Sequence, residues 1–274
     1  MLTPTTIIQD TSAAQRRVTY TQGELLSTAF PGRAKAYPEL RYMGSKHRLL
    51  PWIHSVLSTL EFETAADPFV GSGCVAYLLK CMGKSVEASD FLNFPATLAA
   101  ATLENSSIYL DEGMLKTLLE PARNAPDFIA RTFTGIFFNP EDLHFLDRVC
   151  HNIEKLEHPH QQALARAALI RSCLKKQPRG VFTITGNRYD DGRRDLKLSI
   201  EEHFLEQVEA FNDVVFDNGR HHSVRRADVF DLEPSGADLV YLDPPYVPRS
   251  DDNCYIKRYH FLEGLCTYWR GLEV

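Results

Sequence analysis

Apolar residues along this chain follow two different periods. Leu49, Leu50, Ile53, Val56, Leu57 and Leu60 recur at helical steps, so a helix is expected there with Pro51 near its first turns. From Phe94 to about Asn212 the same spacing continues in Leu143, Leu146, Val149 and Ile153, then Leu164, Ala168 and Leu169, then Phe204, Leu205, Val208 and Phe211. Such stripes are expected to be core rather than ligand contacts. Short apolar runs near residues 65, 86, 224 and 240 read instead as strands that alternate with helices. Parallel α/β architecture with a mainly helical insert follows. Residues 1–34 are polar and aperiodic and read as a flexible N-terminal arm.

The run Leu239-Val240-Tyr241-Leu242 ends in Asp243-Pro244-Pro245-Tyr246. Two prolines fix φ and remove two backbone donors, leaving the Asp243 carboxylate and proline carbonyls as a stiff cup of acceptors beside the flat face of Tyr246. An exocyclic amino group suits such a cup. An isolated Asp-Pro-Pro is equally an ordinary strand ending, so the tetrapeptide needs support from elsewhere.

That support lies upstream. Asp67-Pro68-Phe69-Val70-Gly71-Ser72-Gly73 leads from a strand into a helix beginning near Cys74, and its glycines permit a tight turn and close backbone approach to a ligand. A second strand ends at Asp90, 23 positions after Asp67, where an acid suits a ribose diol. A nicotinamide cofactor competes for this reading, but Ala76 stands where the third glycine of that fingerprint belongs.

Taken in order, Arg41-Tyr42-Met43-Gly44-Ser45-Lys46, the Asp67–Gly73 loop, Asp90 and Asp243-Pro244-Pro245-Tyr246 resemble the D12 class of adenine-specific DNA methyltransferases, over roughly residues 37–105 and 222–270. The resemblance implies a Rossmann-like sheet that binds S-adenosyl-L-methionine and a helical target-recognition insert. It assigns Tyr42, Lys46, Asp67, Phe69, Gly71, Ser72, Gly73 and Asp90 to the cofactor, with Lys46 reaching the methionine carboxylate. Asp228 and Phe230 are matched to the cofactor adenine, and Asp243 to both cofactor and substrate. Without that context Lys46 reads as a solvated lysine and Asp228 as a strand cap. The implied reaction is methylation of adenine N6. Asp243 and the Pro244 carbonyl hold the amino hydrogens, and Tyr246 stacks a base flipped out of duplex DNA.

On these motifs the chain divides into an arm (1–34), a cofactor-binding part (35–105), a helical insert (106–221) and a catalytic part (222–274). The family continues through further strands after its D-P-P-Y, whereas this sequence stops at Val274, so missing C-terminal strands, or a second polypeptide completing the sheet, are expected.

Composition changes this picture little. The 274 residues, 44% hydrophobic, suffice for one large core, and no apolar run approaches membrane-spanning length. Six cysteines without a C-x-x-C pair suit a cytoplasmic protein, and no histidine spacing supports a metal. A net charge of −6 opposes a nucleic-acid partner at first sight. Residues 166–197 are nevertheless locally basic, and Arg179, Arg188, Arg193 and Arg194 are the candidates for contact with double-stranded DNA. A cognate restriction endonuclease is a further expected partner. Methylation of RNA adenine or cytosine N4, and a non-catalytic DNA-binding remnant, remain alternatives.

Overall fold

The computed structural model describes residues 29–178, 180, 182, 192–233, 235–245 and 255–272. Four parallel strands, β1 (Thr64–Asp67), β2 (Ser85–Asp90), β3 (His222–Arg226) and β4 (Leu239–Val240), form a sheet in the order β3-β2-β1-β4. Register is set by Ala65 opposite Val86 on one side of β1 and Leu239 on the other. Ala65 and Ala66 are buried, as a strand covered on both faces requires. Asp238 fixes the start of β4 on β1. One of its carboxylate oxygens accepts from the Glu63 and Thr64 amides, each at 3.0 Å, and from Thr64 Oγ1 at 2.9 Å. From β1 the chain builds outward to β2 and β3, then returns past its starting point to β4. Strand order therefore reverses between β1 and β4, and ligands of open parallel sheets sit outside the carboxyl ends at such a reversal.

The helices are α1 (Gly32–Ala36), α2 (Leu50–Leu57), α3 (Cys74–Cys81), α4 (Asn93–Ala99), α5 (Glu112–Leu119), α6 (Phe128–Phe133), α7 (Pro140–Ile153), α8 (Pro159–Lys176), α9 (Arg194–Lys197), α10 (Ile200–Asn212) and α11 (Tyr255–Thr267). Regular structure thus begins inside the stretch expected to be a loose arm, because Ala34 of α1 and the following Tyr37 are buried against the core. Residues 1–28 lie outside the described residues.

Local sequence explains the helix starts. Asn139 caps α7 by accepting from the Asp142 amide at 2.7 Å, with Pro140 at the first helical position. Ser199 and Glu202 form a reciprocal capping box at α10. The small residues Ala163, Ala165, Ala167 and Ala168 of α8 are buried, and α8 packs against α4, α10 and α11. Helix α4, which packs against β2 and β3, links α8 to the sheet.

One buried charge ties α3 to its neighbour. Lys80 is fully buried, and its ammonium donates to the carbonyls of Thr102, Leu103 and Asn105 at 3.0, 2.8 and 2.8 Å. These carbonyls close a short π-turn, Ala100–Glu104, so the cation satisfies a helix carboxyl end. Burial pulls the Lys80 amine down to about 8.

Candidate active site

β1 delivers Asp67 to its carboxyl end, and the loop that follows turns twice through glycines with left-handed backbone. Gly71 has φ +49°, and a Cβ there would lie 3.1 Å from Tyr42 Cε1. Gly73 has φ +78°, and its Cβ would lie 2.5 Å from the Tyr37 hydroxyl, which itself donates to the Ser72 carbonyl at 2.8 Å. Both positions demand glycine for conformation and for space. Helix α3 starts at the next residue, and no side chain caps its first turn.

The loop is fastened to the end of β2. Asp90 accepts from the Gly71 amide at 3.0 Å through one carboxylate oxygen and from the Leu92 amide at 3.0 Å through the other. Each oxygen retains a second lone pair for a ligand hydroxyl. On the opposite side, Tyr42 stacks on Tyr259 with centroids 5.1 Å apart and planes at 24°. The following turn brings Lys46 to Asp243, with Nζ 2.5 Å from Oδ2, and Lys46 also donates to the Gly44 carbonyl at 2.9 Å.

These segments enclose a cavity of about 450 Å³ at the carboxyl ends of β1 and β4, a size typical of small-molecule sites. Tyr42, Lys46, Asp67, Phe69, Gly71, Ser72, Asp90, Asp228, Asp243, Pro244 and Pro245 all line it. Residues separated by two hundred positions in sequence therefore share one wall. Gly73 stands behind the loop against Tyr37, where it shapes the turn without lining the cavity. Phe230 is not part of the lining and is 93% exposed. Asp228 caps the 3-10 turn Val229–Asp231 by accepting from the Phe230 amide at 3.1 Å; Val229 takes the cavity wall instead. Tyr246, Arg179 and Arg188 lie outside the described residues. Arg194 is on the surface, its guanidinium bonded to Glu206, while Arg193 precedes α9.

Electrostatics inside the cavity are dominated by acids. Asp67 is 1% exposed, and burial, reinforced by Asp90 and Asp243, pushes its carboxyl up to about 7. The Phe69 amide, donating at 3.2 Å, opposes that rise. Burial also raises Asp90, against the Leu92, Gly71 and Phe91 amides that favour its charged form. Tyr42 is held in its phenol form by burial and by Asp90. Crowded carboxylates beside one ammonium favour a ligand that brings positive charge of its own.

Sequence reasoning missed part of the wall. Phe91, Leu92, Val229, Tyr241, Tyr255 and Ile256 also line the cavity. Phe91 and Leu92 directly follow the strand-ending acid, a position from which an apolar pair reaches the same face as Asp90. Tyr255 and Ile256 come from α11, beyond the Asp-Pro-Pro turn. Among the described residues no group of three or more histidine, cysteine or acidic side chains is arranged to hold a metal ion, and no helix is long and apolar enough to cross a membrane.

The residues present fit a ligand with a carboxylate, a sugar diol, a positive centre and a flat ring. The lining holds an ammonium in Lys46, carboxyl groups in Asp90 and Asp67 and apolar side chains in Leu92 and Val229, while the glycines let the backbone approach. Comparison with known proteins points the same way. The sequence model of the D12 class N6 adenine-specific DNA methyltransferases matches residues 42–265. The type II methyltransferase M2.HphI of Haemophilus parahaemolyticus is 32% identical over 225 residues, covering 77% of this chain and 66% of the relative. The chain thus spans just under two thirds of that relative's length. No solved structure matched. A family match that runs from the Tyr42 turn to α11, and so takes in every segment of the cavity wall, establishes that the chain belongs to the D12 class N6 adenine-specific DNA methyltransferase family.

Proposed function

We propose that this protein transfers a methyl group from S-adenosyl-L-methionine to N6 of an adenine flipped out of double-stranded DNA. The observation that carries the reading is the Lys46–Asp243 contact, which brings the cofactor turn and the Asp-Pro-Pro cup into one cavity. Strand order β3-β2-β1-β4 supports a Rossmann-like sheet with its ligand at the strand-order reversal.

The bound cofactor supplies a methyl group made electrophilic by its sulfonium charge. Lys46 holds the methionine carboxylate, Asp90 the ribose hydroxyls, and Asp228 the amino group of the cofactor adenine. Asp67, close to neutral pH in its titration, ionises in response to the positive ligand. Asp243 Oδ and the Pro244 carbonyl accept the two N6 hydrogens, which localises the nitrogen lone pair for attack. Neither proline carries an N–H to compete for those acceptors. After transfer the product ammonium is acidic enough to release its proton to Asp243 or water. Rate comes from alignment and electrostatic fit, with no covalent protein intermediate. Tyr246 follows Pro245 directly and is assigned the stacking surface for the flipped base. Arg179, Arg188, Arg193 and Arg194 are assigned to DNA phosphates. The type II relative supports a restriction-modification setting with a cognate endonuclease.

Transfer of labelled methyl to DNA, RNA or neither tests this. Labelling of adenine-containing duplex DNA, reduced at least about 100-fold by Asp243→Ala, is expected. Label confined to RNA or to cytosine-only targets, or full activity in Asp243→Ala, overturns it.

A further inference from the structure

Helix α4 begins immediately after the cofactor wall Asp90-Phe91-Leu92, and its own N-cap residue, Leu92, has no side-chain oxygen to offer. The missing cap comes from α11. Glu263, 7% exposed, accepts from the Asn93 amide at 2.8 Å and from Asn93 Nδ2 at 2.5 Å through Oε1, and from the Phe94 amide at 3.1 Å through Oε2. A carboxylate at a helix amino end, with three donors, is a strong and directional tether.

The same helix grips the opposite wall. Tyr259 Oη accepts from the Met43 amide at 2.7 Å, and Tyr255 Oη donates to the Met43 carbonyl at 3.2 Å. Tyr255, Tyr259 and Glu263 follow at four-residue steps, so they form one stripe along α11. One face of one helix therefore holds the Tyr42–Lys46 turn and the Asp90–Asn93 turn together. These are the two lips of the cavity.

We propose that Glu263 is a positioning residue for cofactor binding, acting with Tyr259 and Tyr255 to fix the distance between these two lips. The proposal rests on the reading of the cavity as the S-adenosylmethionine site. Glu263 touches no ligand itself. Its work is to keep Asp90, Phe91 and Leu92 in place, so its loss is felt in affinity more than in turnover.

Calorimetric titration of the full chain with S-adenosylmethionine, together with hydrogen exchange at the Asn93 and Phe94 amides, tests this. Glu263→Gln preserves shape and removes the charge, with one of the two acceptor oxygens, that holds the amino end of α4 on α11. Its cofactor Kd and KM are expected to rise roughly tenfold with kcat within about twofold, while exchange accelerates at residues 93 and 94. Tyr259→Phe keeps the ring on Tyr42 and frees only the Met43 amide, so a smaller rise in Kd is expected, and this variant decides the matter if Glu263→Gln does not fold. An unchanged Kd in a folded variant, with wild type binding normally, overturns the positioning role alone. Absence of cofactor binding by wild type overturns the cofactor reading and the proposal with it.

Discussion

Asp67→Asn is expected to stabilise the ligand-free protein at alkaline pH while weakening its cofactor site. The folded carboxyl titrates at about 7 rather than 3.8, chiefly because Asp67 is buried at the end of β1. Between those values the folded state holds a proton that the unfolded chain has released, so stability falls as pH rises through this window and is level above it. At 1.36 kcal/mol per tenfold in proton affinity, the full loss is about 4 kcal/mol, and more than half of it falls between pH 5 and 8. Asparagine keeps an oxygen for the Phe69 amide and carries no charge to bury. Urea unfolding of both proteins at pH 5 and pH 8 is the assay. Asp67→Asn should gain about 2–3 kcal/mol on wild type between the two pH values. A stability difference that does not change with pH, or that turns against the variant at pH 8, refutes the claim that Asp67 is a strained, ligand-ready carboxyl.

The glycine loop offers a paired test of conformation against space. Gly73→Ala places a Cβ 2.5 Å from the Tyr37 hydroxyl at φ +78°, whereas Gly83→Ala has the same φ and nothing within 4 Å. Chemical denaturation should show about 1 kcal/mol lost at Gly83 and about 3 kcal/mol at Gly73, where the Tyr37–Ser72 bond is also disturbed. Lys46→Met removes the cation beside Asp243. Steady-state methylation kinetics should show KM for the methyl donor raised roughly tenfold or more, since the methyl-capped side chain retains length and loses charge.

Much of the site is legible in sequence because its chemistry depends on backbone. Gly71 and Gly73 are needed wherever a strand turns tightly into a helix at positive φ, and Asp67 and Asp90 end strands that alternation alone locates. The four strand positions near 65, 86, 224 and 240 correspond to β1 to β4 for the same reason. Phe230 is matched to the cofactor adenine by resemblance alone; in the structure the 3-10 turn puts Val229 on the cavity wall and leaves Phe230 in solvent, a placement that no local pattern in the sequence announces. Arg194 shows the limit of counting charge: composition reveals a basic stretch, while its bond to Glu206 exists only in three dimensions. Glu263 is the clearest omission. Its partners Asn93 and Phe94 lie 170 and 169 positions away, and the only local trace is the four-residue spacing of Tyr255, Tyr259 and Glu263.

The central claim is that the cavity between β1 and β4 is the S-adenosylmethionine site, and direct titration of the protein with that cofactor, wild type against Asp90→Ala, tests it most simply. Asp90 anchors both the Gly71 and Leu92 amides and is the acceptor assigned to the ribose. Binding at one equivalent, weakened at least about tenfold in a folded Asp90→Ala, is the predicted result. No binding by wild type, or the same affinity in both proteins, contradicts the account.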